Sequence, residues 1–130
     1  MPRLILVSNR LPVTARVEHG ELSLAAGAGG VVSGLAGFHE AGDGLWIGWP
    51  GETWRLSPSQ QQTLGDKLAA LRAVPVELTR GEVERYYEAF SNGILWPLLH
   101  YELERLPTRP SGWETYRRVN QRFADTIVEH

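Results

Sequence analysis

Three stretches of the sequence carry residue types suited to gripping an anionic sugar. Arg10 follows Leu6-Val7-Ser8-Asn9, and its planar guanidinium pairs with two phosphate oxygens at once. In Ala26-Gly27-Ala28-Gly29-Gly30 the backbone is stripped of side chains, so the amides at Gly29 and Gly30 can approach a ligand closely. A helix starting at Val31 would aim its unpaired amides and positive dipole end at an anion held there. Residues 91–101, Ser-Asn-Gly-Ile-Leu-Trp-Pro-Leu-Leu-His-Tyr, crowd an amide, two aromatics and a histidine around Trp96-Pro97. Cation, backbone donors and stacking faces together are the equipment for holding a phosphosugar.

Each feature also has a plainer reading. The glycine run lacks the third glycine of the dinucleotide signature and the lysine of a P-loop, so a flexible turn and an anion site both stay open. For Arg10 taken alone, pairing with a surface carboxylate is the slightly favoured reading. Trp46, Trp49, Tyr87, Trp96 and Tyr101 sit beside glycine, proline or polar residues instead of following one apolar stripe, which points some of them at a cleft, although a buried tryptophan is the commoner fate. Tyr86 and Tyr87 point about a hundred degrees apart on a helix. Tyr86 shares the face of Val83 and Phe90, leaving Tyr87 the freer hydroxyl. Proline after Trp96 biases that residue away from helix and places it at a bend.

Elements must position these groups, and the pattern supplies them. Leu4-Ile5-Leu6-Val7 is an all-apolar run that reads as a strand buried on both faces of a parallel sheet, with Arg10 at its carboxyl end. Val13, Ala15 and Val17 alternate with polar residues, His19-Gly20 offers a turn, and Leu22 and Leu24 alternate again. This predicts a hairpin, able to act as a flap. Val31, Leu35 and Phe38 predict a helix over 31–40, and Leu45-Trp46-Ile47-Gly48-Trp49 a strand. Ser57-Pro58 with Gln60 opens a helix whose stripe is Leu64, Leu68 and Leu71, before a strand over 73–78. Thr79 with Glu82, and Ser111 with Glu114, repeat the capping pattern. They open helices with stripes Val83, Tyr86, Phe90 and Trp113, Tyr116, Val119, Phe123, Ile127. Alternating strands and helices predict an α/β layered fold with ligands bound beyond the carboxyl ends of the strands.

Composition narrows the function. At 130 residues the chain is one domain or part of one. Its 13 basic and 15 acidic residues nearly cancel and are interspersed, which disfavours nucleic acid or an anionic membrane as partner. There is no cysteine, and His19, His39, His100 and His130 lack ligand spacing, so metal and thiol chemistry are unsupported. The Leu4–Val7 run is too short for a signal core and no apolar run approaches membrane length, leaving the cytoplasm as the expected location.

Four motifs in order, LILVSNRLPV at 4–13, AGAGGVVSGL at 26–35, GLWIGWPGE at 44–52 and YYEAFSNGILWPLLHY at 86–101, resemble the N-terminal part of the trehalose-6-phosphate synthase family. The resemblance continues through Trp113-Glu114-Thr115-Tyr116-Arg117-Arg118-Val119-Asn120 and so covers essentially the whole chain. It implies a retaining GT-B glycosyltransferase with two Rossmann-like domains facing a cleft. Such an enzyme moves glucose from UDP-glucose, or another nucleotide glucose, to glucose 6-phosphate and gives trehalose 6-phosphate without a metal or other cofactor. On this resemblance Arg10 contacts the acceptor phosphate, and Tyr87 and Trp96 frame glucose 6-phosphate. Gly30, with its neighbour Gly29, touches the donor, and Trp46 or Trp49 belongs to the acceptor region.

The family's Asp-x-His-Asp-type segment and its donor-phosphate and acidic donor-binding residues are not among these 130 residues, so the chain is expected to be a piece of the acceptor-side domain, lacking the C-terminal domain. Without counter-charge for the departing diphosphate it is expected to be inactive alone. An exposed face would invite self-association into a homo-oligomer. Two other readings stay open: a relative with another acceptor, and a non-catalytic phosphosugar-binding or regulatory module.

Overall fold

The structure is a computed structural model and describes residues 3–27, 37, 39, 42–106 and 112–130. The chain divides into two compact units, Met1–Glu77 with His130, and Leu78–Glu129.

The first unit is built on a parallel sheet. Strands β1 (Ile5–Arg10), β4 (Leu45–Trp49) and β5 (Ala73–Pro75) run in the order β1-β4-β5, all parallel. Strand β5 stops at Pro75 and not at Leu78 as expected, with the Val76 amide making a last bond to the Gly48 carbonyl at 2.8 Å. Between β1 and β4 lies the hairpin of β2 (Val13–Glu18) and β3 (Glu21–Ala26), with Val13 paired to Ala26 and Glu18 to Glu21. His19 and Gly20 turn it at φ 53 and 78, the left-handed pair a two-residue turn needs. Of the helix expected over 31–40, only Gly37 and His39 are among the described residues, and both are helical.

Helix α1 (Pro58–Ala70) starts on the expected capping box. Ser57 Oγ accepts the Gln60 amide at 3.2 Å, and the Gln60 side chain accepts the Ser57 amide at 2.9 Å. Leu64 and Leu68 are buried, whereas Leu71 falls at the C-cap and is exposed. The core joins Leu11, Leu22, Trp46, Leu64, Leu68 and Ala73, with Leu6, Val13, Ala15 and Leu24 packed against it.

Two expectations fail here for one physical reason, the placement of that core. The hairpin is not a flap: its apolar face belongs to the core, the Ala15 amide donates to the Pro50 carbonyl at 3.0 Å, and the Gln60 side chain donates to the Gly20 carbonyl at 3.3 Å. Strand β1 is not buried on both faces: Leu6 faces the core, but Val7 is 44% exposed. Among the described strands β1 is an edge, and residues i and i+2 share a face.

The second unit is helical. Thr79 and Glu82 form the expected reciprocal cap and open α2 (Arg80–Glu82). A π-helix (Val83–Leu95) and α3 (Trp96–Leu99) follow without a break, and a short 3-10 turn (Leu103–Arg105) and α4 (Trp113–Glu129) come later in the chain. Ser111, and with it the cap expected there, lies outside the described residues. Phe90, Val119 and Phe123 are buried, and the rings of Tyr86, Phe90, Trp113 and Tyr116 lie 4.6 to 5.9 Å apart.

Trp96 departs from expectation. With φ −62 and ψ −50 it is helical despite the following proline. Pro97 sits in the first turn of α3 but inside the continuous helical run, so the run lacks one backbone N–H there. The first α bond, His100 amide to Trp96 carbonyl at 3.1 Å, helps hold Trp96 against the local steric bias.

Among the described residues no helix is long and apolar enough to cross a membrane, and no group of three or more His, Cys, Asp or Glu gathers as metal ligands do.

Candidate functional site

Arg10 owes its position to an irregularity at the end of β1. Ile5, Leu6 and Val7 pair with Leu45, Trp46 and Ile47, but Arg10 then pairs with Trp49. Three steps on β1 match two on β4, so β1 bulges by one residue. Gly48 makes room for it: a Cβ there would lie 2.7 Å from the Ser8 carbonyl oxygen and 3.0 Å from the Leu11 nitrogen. Ser8 ties the bulge down. Its Oγ donates to the Arg10 carbonyl and accepts the Trp46 Nε1 proton at 2.7 Å.

The Arg10 guanidinium carbon lies 5.1 Å from the centre of the Trp49 ring, a cation–π contact, and the Leu11 amide closes the turn on the Trp49 carbonyl at 2.9 Å. Trp49 is in turn stacked on Trp54, centroids 6.4 Å apart. The indole nitrogens of Trp49 and Trp54 and the Asn9 Oδ1 are buried without a hydrogen-bond partner. Buried polar atoms are nearly always paired, so each indole N–H calls for an acceptor and the Asn9 Oδ1 for a donor.

The two tryptophans left undecided by sequence have different surroundings. Trp46 is fully buried, its N–H spent on Ser8 and its ring edge-on to His39 at 5.6 Å. It does not face a cleft. Trp49, though 5% exposed, is the one against Arg10.

In the second unit Tyr87 and Trp96 stand on one continuous helical run. Tyr86 packs against Tyr116 at 5.7 Å, and burial, then the Tyr116 and Tyr87 hydroxyls, push its phenol pKa up. Tyr87 is half-buried, and Trp96 is 47% exposed with its ring stacked on His100 at 3.8 Å and 13°. His100 Nδ1 also lies 2.8 Å from the Trp96 carbonyl oxygen. Tyr101, at φ 60, is 89% exposed.

Glu82 anchors the second unit. Arg122 holds its carboxylate with two hydrogen bonds of 2.8 Å, Arg118 lies at 3.5 Å, and the Thr79 amide donates at 3.0 Å. The Arg122 hydrogen bonds, opposed by burial and helped by Thr79, hold the Glu82 pKa down to about 2, and the same bonds push Arg122 up. The adjoining groove mixes Arg117, Arg118 and Arg122 with Glu114 and Asp125, so its charges largely cancel.

Arg10 and Trp49 are therefore brought into contact, and Tyr87 and Trp96 share a helical run. Gly29 and Gly30 lie outside the described residues. Sequence reasoning missed Ser8 and Trp54. Ser8 was legible only as the polar residue that ends a strand, and Trp54 follows the quoted Gly-Leu-Trp-Ile-Gly-Trp-Pro-Gly-Glu motif by two positions.

A parallel α/β sheet with an arginine set on an indole at the carboxyl end of its first strand defines an α/β protein of the kind that binds polar ligands beyond its strand ends. Residues 2–130 match the model of glycosyltransferase family 20, and the chain belongs to that family.

Similarity to individual proteins is of the same kind. The chain is 39% identical over 128 residues to the alpha,alpha-trehalose-phosphate synthase [UDP-forming] of Emericella nidulans, covering 97% of this chain and 25% of that one. It is 42% identical over 139 residues to alpha,alpha-trehalose-phosphate synthase [UDP-forming] 1 of Arabidopsis thaliana, covering 98% and 14%. The solved trehalose-6-phosphate synthase OtsA aligns with a TM-score of 0.64 at 30% identity, covering 98% of this chain and 26% of that one. The expected Rossmann-like α/β layering of a GT-B glycosyltransferase thus stands, and the chain spans at most about a quarter of the length of these relatives.

Proposed function

We propose that the protein to which these residues belong transfers glucose from UDP-glucose to glucose 6-phosphate, releasing UDP and forming trehalose 6-phosphate, and that this chain supplies the acceptor grip. The reading is carried by one observation: Arg10 is bulged out of β1 and seated on Trp49, at the strand end, in a chain that belongs to glycosyltransferase family 20. Arg10 binds the acceptor phosphate, Trp49 orients Arg10, and Tyr87 and Trp96 frame the sugar. Trp46 serves the core. Gly29 and Gly30 meet the donor.

None of these groups is a nucleophile or a metal ligand, so the chain positions substrate without a cofactor. Charge developing on the departing diphosphate is met by groups of a second Rossmann-like domain, and the 130 residues alone bind without turnover. Cytoplasmic phosphosugars and nucleotide sugars are the partners.

Titration of the chain with glucose 6-phosphate, followed by tryptophan fluorescence with glucose and inorganic phosphate as controls, tests the reading. A saturable response to the phosphosugar alone, weakened roughly tenfold or more by Arg10→Ala, is expected from loss of a charge-assisted phosphate contact. An unchanged affinity in Arg10→Ala removes Arg10 from the site.

A further inference from the structure

We propose that the i→i+5 register of Val83–Leu95 is what sets Tyr87 and Trp96 on one side of their helix, and that Ser91 is the positioning residue that holds this register. The functional half of the proposal rests on the acceptor reading above.

The segment is 13 residues long, whereas π-type bonding is ordinarily confined to a single turn inserted in an α-helix, frequently at a functional site. Its end is defined by the Trp96 amide donating to the Ser91 carbonyl, five residues back. Ser91 repeats the same span with its side chain: Oγ donates to the Tyr86 carbonyl at 2.8 Å, again five residues back. In an α-helix a serine hydroxyl reaches the carbonyl three or four residues back. The Ser91 hydroxyl is thus a bond made across the wide turn.

The register decides which residues are neighbours. Tyr87 and Trp96 are nine residues apart, about two and a half turns of an α-helix, which puts them on opposite sides. With i→i+5 bonding a turn takes more than four residues, nine residues come close to two full turns, and the two side chains fall on one side. The aromatic contacts are compatible with either register: Tyr86 and Phe90, four apart, both meet Tyr116, at 5.7 and 4.6 Å, while Trp96 stays about half exposed.

The register then changes immediately after the residue it must place. Trp96 carbonyl accepts the His100 amide at 3.1 Å, an ordinary four-residue bond, and the His100 ring stacks on the indole. Wide turns bring Trp96 round to Tyr87, and the first α turn fixes it there.

The test reads register and binding separately. Through-hydrogen-bond couplings in the isotopically labelled chain are expected to link the Trp96 amide to the Ser91 carbonyl. Ser91→Ala is expected to weaken the pairing of residue 91 with Tyr86 and to raise the dissociation constant for glucose 6-phosphate about tenfold. Ser91→Thr, which keeps the hydroxyl, is expected to restore both. Four-residue pairing through 83–95 with intact binding overturns the register proposal alone, as does an unchanged affinity in a folded Ser91→Ala chain. Five-residue pairing with no glucose 6-phosphate binding by the wild-type chain overturns the acceptor reading and the functional half with it.

Discussion

Ser8 is a small residue with a large share in the site, because one hydroxyl joins a core indole to the bulge that presents Arg10. Its replacement by alanine leaves the buried Trp46 N–H without an acceptor, which costs about 1–3 kcal/mol. Urea unfolding of Ser8→Ala should show that loss, and its affinity for glucose 6-phosphate should fall as the Arg10 loop slackens. A stability loss with unchanged affinity would detach the hydroxyl from the site. At this scale the sequence was half legible. Arg10, Tyr87 and Trp96 stood out by type and neighbourhood, and the first is in contact with another candidate, Trp49. Trp46 and Trp49 could not be told apart, because an alternating strand of two tryptophans around Ile47 and Gly48 does not say where the bulge falls. The bulge decides which ring meets the guanidinium.

Elements were more legible than their internal geometry. Ser57 with Gln60 and Thr79 with Glu82 announced helix starts through a local reciprocal hydrogen-bond pattern, and both caps form as expected. The hydrogen-bond register of the run after Glu82 was not legible, since the same apolar spacing suits four- and five-residue bonding. The rule that a residue before proline avoids helix was overridden at Trp96 by the turn that follows it.

Glu82 gives this element a pH signature. Its folded pKa of about 2 lies below the ordinary 4.5, so its contribution is fully present above pH 4.5 and is lost as pH falls from there towards 2. The difference corresponds to about 3 kcal/mol. Thermal unfolding followed against pH should show that loss, and in Glu82→Gln the same pH window should be flattened at a lower overall stability. A wild-type profile that is flat between pH 5 and 2 would refute the pairing. On β4, Gly48→Ala drives a methyl against the Ser8 carbonyl, so the bulge must shift. It should destabilise the chain by about 1–3 kcal/mol and weaken phosphosugar binding together, measured by urea unfolding and titration.

At the scale of the molecule, apolar side chains remain at the surface. Leu99 is 71%, Leu103 59% and Val128 87% exposed, and Val7 lies open on the edge strand β1. Exposed apolar groups favour association. Sedimentation velocity over a range of concentrations should reveal self-association that Leu99→Lys reduces; a monomer at all concentrations would count against it.

The sheet that carries Arg10 also sets a timetable. The β2–β3 hairpin and the helices close over short stretches of chain, in about microseconds, but Ile5 must find Leu45 forty residues away before β1 and β4 can pair. Arg10 cannot settle on Trp49 until that long loop has closed, so the binding arm is completed late: a refolding chain acquires its helices first and its grip on phosphate afterwards.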